Sequence, residues 1–389
     1  MTILIISYNR FPDNDAGAVR DYMFAKMLED LGCSVYVVAM GTSTNLEIKD
    51  YNGVKYISLR SENLDKRSRL LNYFGFTKRL IDFIENNFKN NLPDFFWIVN
   101  IPLHSSLFIK KYAIKNHIKL VHDSVEWYSP RQFKLGFLSP AFILKELNNR
   151  IIIDKNFRVI AISAFLHRYY SNKKIMSIRI PIIFDKNEMA QDKNVIDDKL
   201  VILYAGAPGK KDYLYTIIRS LTILPENILS KIEFRIIGVS KLEIKNMFKR
   251  ERNVFNSIED YLNIKGRLTR QEVLANLIEA DFTVLLRNPD LRYAKAGFPV
   301  KFVESIASAT PMILNISSDL GEYLDDLENC IVVEDASSIS FARALEKAYD
   351  IKFIKKDIKS MQKNSRQTFE THFHYHNYLN MVSDFLTIK

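Results

Sequence analysis

Cysteine is nearly absent from this chain: 389 residues carry two, Cys33 and Cys330. Two sulfurs far apart in sequence cannot form a disulfide framework or a thiolate zinc site, and their scarcity suits a reducing cytoplasm. Long apolar runs are missing as well, so no bilayer-spanning segment is expected. The start of the chain goes directly into the strand-like Ile3-Leu4-Ile5-Ile6. It lacks the basic start, extended apolar stretch and small-residue cleavage site of a signal peptide. No repeat or low-complexity tract is visible. The seven histidines are scattered, apart from His372, His374 and His376. Those three alternate with Phe373 and Tyr375 and read as a surface beside the last helix, so no metal is expected.

What is present is an ordinary globular composition, 47% hydrophobic and 26% charged, in a chain long enough for two domains. The net charge of +10 favours an anionic partner. Nucleic acid, acidic lipid and phosphorylated small molecules all meet that description.

Apolar runs alternate with helix-period segments along almost the whole length. Thr2–Ser7 and Val35–Met40 read as parallel buried strands. Between them Val19–Leu31 places Met23, Met27, Leu28 and Leu31 on one helical face, and Gly32 ends it. Tyr56–Leu59, Phe96–Val99, Lys119–His122 and Val159–Ile162 are further strands of a doubly wound parallel sheet. A polar stretch from Asp185 to Lys199 lacks apolar period and reads as a linker. A second alternation follows, with strands at Leu200–Tyr204, Glu233–Ile237, Asp281–Leu286, Met312–Asn315 and Ile331–Val333. Its helices are Tyr213–Leu224, Lys241–Lys249 and Lys301–Ala307, and the last segments, from about Lys355 to Thr387, are helical. The expected division is a domain over 1–185, a linker over 186–199 and a second domain over 200–371. Residues 372–389 are expected to return to the first domain.

In parallel sheets, ligands bind beyond the carboxyl ends of the strands. Four loops at such ends carry chemistry. Ala16-Gly17-Ala18 opens a helix with small residues, which suits either anion binding or a tight packed turn. Val121-His122-Asp123-Ser124-Val125-Glu126-Trp127-Tyr128 gathers polar and aromatic groups suited to sugar hydroxyls. On the other reading His122 and Asp123 cap the strand and Trp127 is core. Gly206-Ala207-Pro208-Gly209-Lys210-Lys211-Asp212 combines backbone access with cations for a diphosphate, although it lacks the full Walker spacing. Ala296-Gly297-Phe298-Pro299-Val300-Lys301-Phe302-Val303-Glu304 brings Gly297 and Pro299 to a helix start, where free N–H groups suit phosphate oxygens. Glu304 lies about one and a half turns later among apolar neighbours, where a carboxylate can accept ribose hydroxyls.

These loops, in this order, resemble glycosyltransferase family 4, retaining enzymes with the GT-B fold of two Rossmann-like, doubly wound domains facing a cleft. Thr310-Pro311-Met312-Ile313 looks like that family's Gly-Thr-Pro-Val-Ile strand, with Ala309 in place of glycine. The resemblance implies a nucleoside-diphosphate-sugar donor of UDP or GDP type and no metal cofactor. It implies that Lys211 or Lys210 binds the diphosphate, with Gly206 and Gly209 in the same loop. Arg267 and Leu268 would flank the base and Glu304 would bind ribose. Gly297, Phe298 and Pro299 would line the phosphate and sugar pocket. Gly17 would approach the diphosphate, and His122 would touch the transferred sugar. Asp123, Glu126, Trp127 and Arg131 are the acceptor-side candidates. Two departures stand out: Ala296 replaces the first of the family's two glutamates, and Ala207-Pro208 stand where an arginine is usual.

Lys66–Lys89 carries six basic residues against Asp82 and Glu85, with Leu70, Leu71, Tyr73, Phe74 and Phe76 among them. It reads either as a site for anionic lipid, bringing a lipid-linked acceptor and peripheral membrane contact, or as an amphipathic helix packed on the sheet. Arg131–Phe142 is a candidate acceptor lip. The rival readings are a sugar-nucleotide epimerase on the same fold and a basic nucleic-acid-binding protein. The spread of the basic residues disfavours the latter.

Overall fold

The apolar run Thr2–Ser7 forms a strand (β1) buried on both faces, and its neighbours show why. It pairs in parallel with β2 (Ser34–Ala39) on one side and β5 (Phe95–Val99) on the other. All five residues of β5 are buried, as expected of a strand covered above and below. A computed structural model describes residues 1–12, 15–39, 47–59, 66–89, 91–188, 193, 198–209 and 211–387, with side chains in the 66–89 helix described from residue 75. Lys210, Met40 and most of the 186–199 stretch lie outside the described residues.

The described chain divides into two units. One comprises Met1–Ile183, Ala296–Phe298 and Tyr375–Lys389, and the other Phe184–Lys295 and Pro299–His374. The sheet of the first unit has the order β3-β4-β2-β1-β5-β6-β7-β8. The remaining strands are β3 (Lys49–Tyr51), β4 (Val54–Ser58), β6 (Lys119–Ser124), β7 (Phe157–Ala161) and β8 (Ser177–Arg179). Helices α1 (Ala16–Asp30), α2 (Lys66–Phe88), α3 (Leu103–Lys115), α4 (Pro140–Leu147) and α5 (Ala164–Asn172) alternate with them.

The sheet is parallel except at its edge, where β3 and β4 form an antiparallel hairpin. Asn52 and Gly53 turn it, both at positive φ. Asn-Gly is the pair a two-residue hairpin turn demands. The wholly parallel expectation missed that edge.

Within α2, Phe76, Leu80 and Ile84 are fully buried, so the described apolar stripe faces the sheet rather than solvent. Of the two readings of Lys66–Lys89, the described half fits the packed helix. Leu70, Leu71, Tyr73 and Phe74 have side chains outside the described residues. No helix among the described residues is long and apolar enough to cross a membrane.

The second unit holds a six-stranded sheet, β11-β10-β9-β12-β13-β14, parallel throughout. Its strands are β9 (Leu200–Ala205), β10 (Ile232–Ile237), β11 (Leu262–Gly266), β12 (Phe282–Leu285), β13 (Met312–Leu314) and β14 (Cys330–Val332). The expected Tyr213–Leu224 helix is shorter, Leu214–Ser220 followed by a single 3-10 turn. The expected helical end consists of Ile358–His372 and Leu379–Leu386, with a short 3-10 turn between them. Its last segment lies in the first unit: Tyr375, Val382, Phe385 and Leu386 join that unit's core, and the Tyr375 hydroxyl donates to Asp30 at 2.7 Å.

Candidate functional site

In the second unit, β9, β10 and β11 each end at a glycine with positive φ: Gly206, Gly238 and Gly266. Two of these are required by close approach. A Cβ on Gly238 would stand 2.8 Å from the Gly206 carbonyl carbon, and one on Gly206 would meet Lys301 Cε at 2.7 Å. The loop after β9 is therefore pressed against its neighbour strand and against a lysine.

That lysine opens the helix Val300–Ala307. Lys301 Nζ donates to Asp212 Oδ2 at 2.6 Å and to the Tyr204 hydroxyl at 2.9 Å, and lies 4.0 Å from the Tyr204 ring centroid. Arg287, just past β12, donates from Nε to Asp212 Oδ1 at 2.8 Å. Tyr204 closes the group by donating to Asp212 at 3.0 Å. Burial pushes the Asp212 carboxyl up, but Lys301 and Arg287 outweigh it and hold the group below the ordinary carboxylate range. Two cations on one carboxylate leave surplus positive charge at the loop, and both cationic side chains keep a partly open surface. Such an arrangement can hold an anion without a metal.

Pro299 is the N-cap of the same helix, and no side chain caps it. The Phe302 N–H donates to the Pro299 carbonyl at 3.1 Å, and the Val300 and Lys301 N–H groups ahead of it face the open end of the helix. The sequence placed Pro299 near the first turn; it stands one residue before it. Glu304 follows in the second turn, half-buried. Burial raises its carboxyl above the ordinary range, while Arg270 and Lys301 pull it down.

The other expected donor-side residues separate. Lys211 holds its Nζ 5.8 Å from the Tyr293 ring centroid, and its carbonyl accepts from the Tyr293 hydroxyl at 3.0 Å. Gly209 has positive φ, Arg267 is exposed, and Leu268 is half-buried against a small cluster under β9. Gly297 is half-buried and Phe298 buried. Tyr204, Asp212 and Lys301 stand within segments singled out in the sequence but have no role assigned there, and Arg287 stands outside them. Lys301 carried a readable signal: a lysine on the otherwise apolar stretch that opens a helix.

In the first unit, a cavity of about 490 Å³ lies at the carboxyl ends of β1, β5 and β6. His122, Asp123 and Glu126 line it together with Tyr8, Tyr128 and Asn149. Burial pushes the His122 imidazole down to about 4, against the opposing pull of Asp123 and the Ile98 carbonyl, so it is neutral near pH 7. A neutral imidazole both donates and accepts hydrogen bonds.

Asp123 is committed elsewhere. Both its oxygens accept from Arg20, at 2.8 and 2.9 Å, and Arg20 also donates to the Ile180 carbonyl at 3.1 Å. Trp127 is buried core: its Nε1 donates to Glu146 at 2.7 Å and its ring meets Tyr169 edge-on. Arg131 is exposed on a 3-10 turn. Gly17 sits in the first turn of α1, where a Cβ would meet the Asn9 carboxamide at 2.6 Å. Asp15 caps that helix by accepting from the Ala18 N–H at 2.8 Å.

Among the described residues no group of His, Cys, Asp or Glu is arranged for a metal. His374 faces the Phe184 carbonyl, while His372 lies against Tyr323.

Residues 185–368 match the family model for glycosyl transferases group 1. No curated protein matches the chain. Among solved structures it is similar to sucrose-phosphate synthase from Thermosynechococcus elongatus, at TM-score 0.75 and 14% identity over 98% of this chain and 97% of that one. HepE from Anabaena in complex with UDP-glucose aligns at TM-score 0.69 and 12% identity, covering 100% and 99% of the two chains. WaaG, a glycosyltransferase involved in lipopolysaccharide biosynthesis, aligns at TM-score 0.66 and 12% identity over 100% of both. Two parallel-sheet units of this kind are the GT-B fold. Within that fold, the match to glycosyl transferases group 1 falls on residues 185–368, the span that holds the second sheet.

Proposed function

We propose that the protein is a retaining transferase of the family 4 kind. In this reading it moves a sugar from a UDP- or GDP-type donor to a glycan or lipid-linked acceptor. The observation that carries the reading is the surplus positive charge at Asp212, where Lys301 and Arg287 meet beneath the Gly206 loop. That charge, with the uncapped start of the Val300–Ala307 helix, suits a diphosphate leaving group. Lys211, and Lys210 beside it in sequence, add cations on the same loop. Glu304 receives the ribose hydroxyls, and Gly297, Phe298 and Pro299 line the pocket. Arg267 and Leu268 flank the base.

HepE holding UDP-glucose and WaaG acting in lipopolysaccharide biosynthesis support a nucleotide-sugar donor and a role in surface polysaccharide or glycoconjugate synthesis. The acceptor enters the cavity lined by His122 and Glu126 in the first unit. Sugar transfer occurs on one face, with the departing diphosphate helping to remove the acceptor proton. The lysines and Arg287 stabilise the charge that builds on it, so no divalent metal is needed. Ala296 in place of the family's first glutamate shifts sugar recognition onto other groups. The place of work is the cytoplasm, at the inner face of a membrane when the acceptor is lipid-linked.

The test is incubation with UDP-, GDP- and ADP-sugars, with and without lipid-linked acceptors, following release of the free nucleotide. Acceptor-stimulated release with one donor supports the reading; no binding or release with any donor refutes it.

A further inference from the structure

The segment from Arg131 to Ile151 exposes apolar surface on a scale found in no other short stretch of the described chain. Leu135, Phe137 and Leu138 are 65%, 73% and 79% exposed, and Ile143, Leu147 and Ile151 follow along α4 and the turn after it. These residues form no stripe that the fold buries: Phe142 is the one residue of α4 that turns inward. A monomer rarely shows contiguous apolar surface of this kind without a partner for it.

The charges say which partner. Between residues 131 and 151 the exposed charged side chains are Arg131, Lys134 and Arg150, all basic. The single carboxylate, Glu146, is half-buried and accepts from Trp127 Nε1 at 2.7 Å and from Arg150 Nε at 2.8 Å. Beside this segment α3 presents Leu107, Phe108 and Lys111 to solvent in the same pattern. Arg150 is thus paired with Glu146, and the apolar side chains are bordered by Arg131, Lys134 and Lys111, a pattern that matches a bilayer interface carrying anionic headgroups. An acidic protein surface would satisfy the cations but leave Phe137 and Leu138 with nothing to enter.

We infer that the Leu135–Ile151 face of the first unit docks on an anionic lipid bilayer, inserting Leu135, Phe137 and Leu138 at the headgroup boundary. The placement is purposeful, because α4 serves two sides. Ala141, Leu144 and Lys145 line the 490 Å³ cavity, while Ile143 and Leu147 belong to the exposed face. A lipid-linked acceptor lying in the bilayer would reach the cavity without leaving the surface. The purpose rests on the transferase reading; the docking does not. The described half of α2, by contrast, keeps its apolar residues inside and offers no such face.

The experiment uses the full chain with sonicated vesicles of phosphatidylcholine alone and of phosphatidylcholine with phosphatidylglycerol, read by sedimentation. Binding is expected to phosphatidylglycerol vesicles and to fall with added salt. Phe137→Ser with Leu138→Ser, and separately Arg131→Glu with Lys134→Glu, are each expected to weaken it about tenfold or more. These side chains are exposed, so melting temperatures should stay near wild type. Loss of nucleotide release in the wild type would strike the transferase reading alone. Equal sedimentation by wild type and both variants, or no binding to anionic vesicles, would overturn the docking. So would a stable dimer in solution that the Phe137 and Leu138 changes dissociate.

Discussion

Lys301 Nζ lies 2.6 Å from Asp212 Oδ2, joining the start of one helix to the loop after the first strand of its sheet. Arg287 reaches the other oxygen of the same carboxylate at 2.8 Å. The two cations come from two other elements and meet on the loop's single carboxylate. Asp212→Ala leaves both cations without their carboxylate in a largely buried setting. It is expected to destabilise the protein by about 2–3 kcal/mol, checked by chemical denaturation. Lys301→Met leaves Asp212 paired with Arg287, so it should lower donor affinity about tenfold with a smaller change in stability. Calorimetric titration of UDP-glucose and of the matching GDP-sugar checks it.

Glu304→Ala is expected to weaken nucleotide binding by roughly tenfold to a hundredfold, the range for hydrogen bonds to a charged group. Glu304→Gln should retain part of it. The comparison is made by titrating UDP and GDP against each variant; an unchanged affinity would remove Glu304 from the ribose site.

The alternating fold was legible because its strands are buried on both faces, as in Phe95–Val99, and need continuous apolar runs. Short or edge strands were not. Lys49–Tyr51 and Ser177–Arg179 are too brief and polar to stand out, although Asn52-Gly53 marked the first of them as a hairpin. Leu262, Asn263, Ile264 and Lys265 alternate as an edge strand should, a period-two signal that was open to reading. The site was legible where a loop follows a strand and illegible where partners come from distant segments. Nothing local to Asp123 reveals that Arg20, 103 residues away, will occupy both its oxygens. Asp212, Arg287 and Lys301 meet for the same long-range reason, and no spacing announces them.

His122 gives a pH prediction. Its imidazole is lowered from 6.5 to about 4 in the folded chain, chiefly by burial. The folded state therefore resists protonation. The stability associated with neutral His122 is complete above pH 6.5 and is lost as pH falls from 6.5 toward 4, by an amount on the order of 3 kcal/mol. His122→Asn should flatten that slope. Denaturant midpoints at pH 7.5, 6, 5 and 4.5 for both proteins check it.

Asp21 works in the opposite sense. It accepts from Ser7 Oγ at 2.5 Å and Asn9 Nδ2 at 2.9 Å, yet burial, followed by the charges of Asp123 and Asp15, raises its carboxyl to about 8. The folded pKa lies above the unfolded one. The stability from its bound proton is complete below about pH 4, declines through pH 8 and is flat above that. Asp21→Asn mimics the protonated group and should make the protein relatively more stable at pH 8.5 than at pH 5. Melting curves of the two proteins at those pH values decide it.

The central claim is that the second unit binds a nucleoside-diphosphate sugar at Asp212, Lys301 and Glu304. The most direct measurement is release of free nucleotide from a panel of UDP-, GDP- and ADP-sugars, run side by side for wild type, Lys301→Met and Glu304→Ala. The account predicts acceptor-dependent release from one donor by the wild type, with a raised donor KM in both variants. Release at wild-type KM in both variants, or no release from any donor, would contradict it.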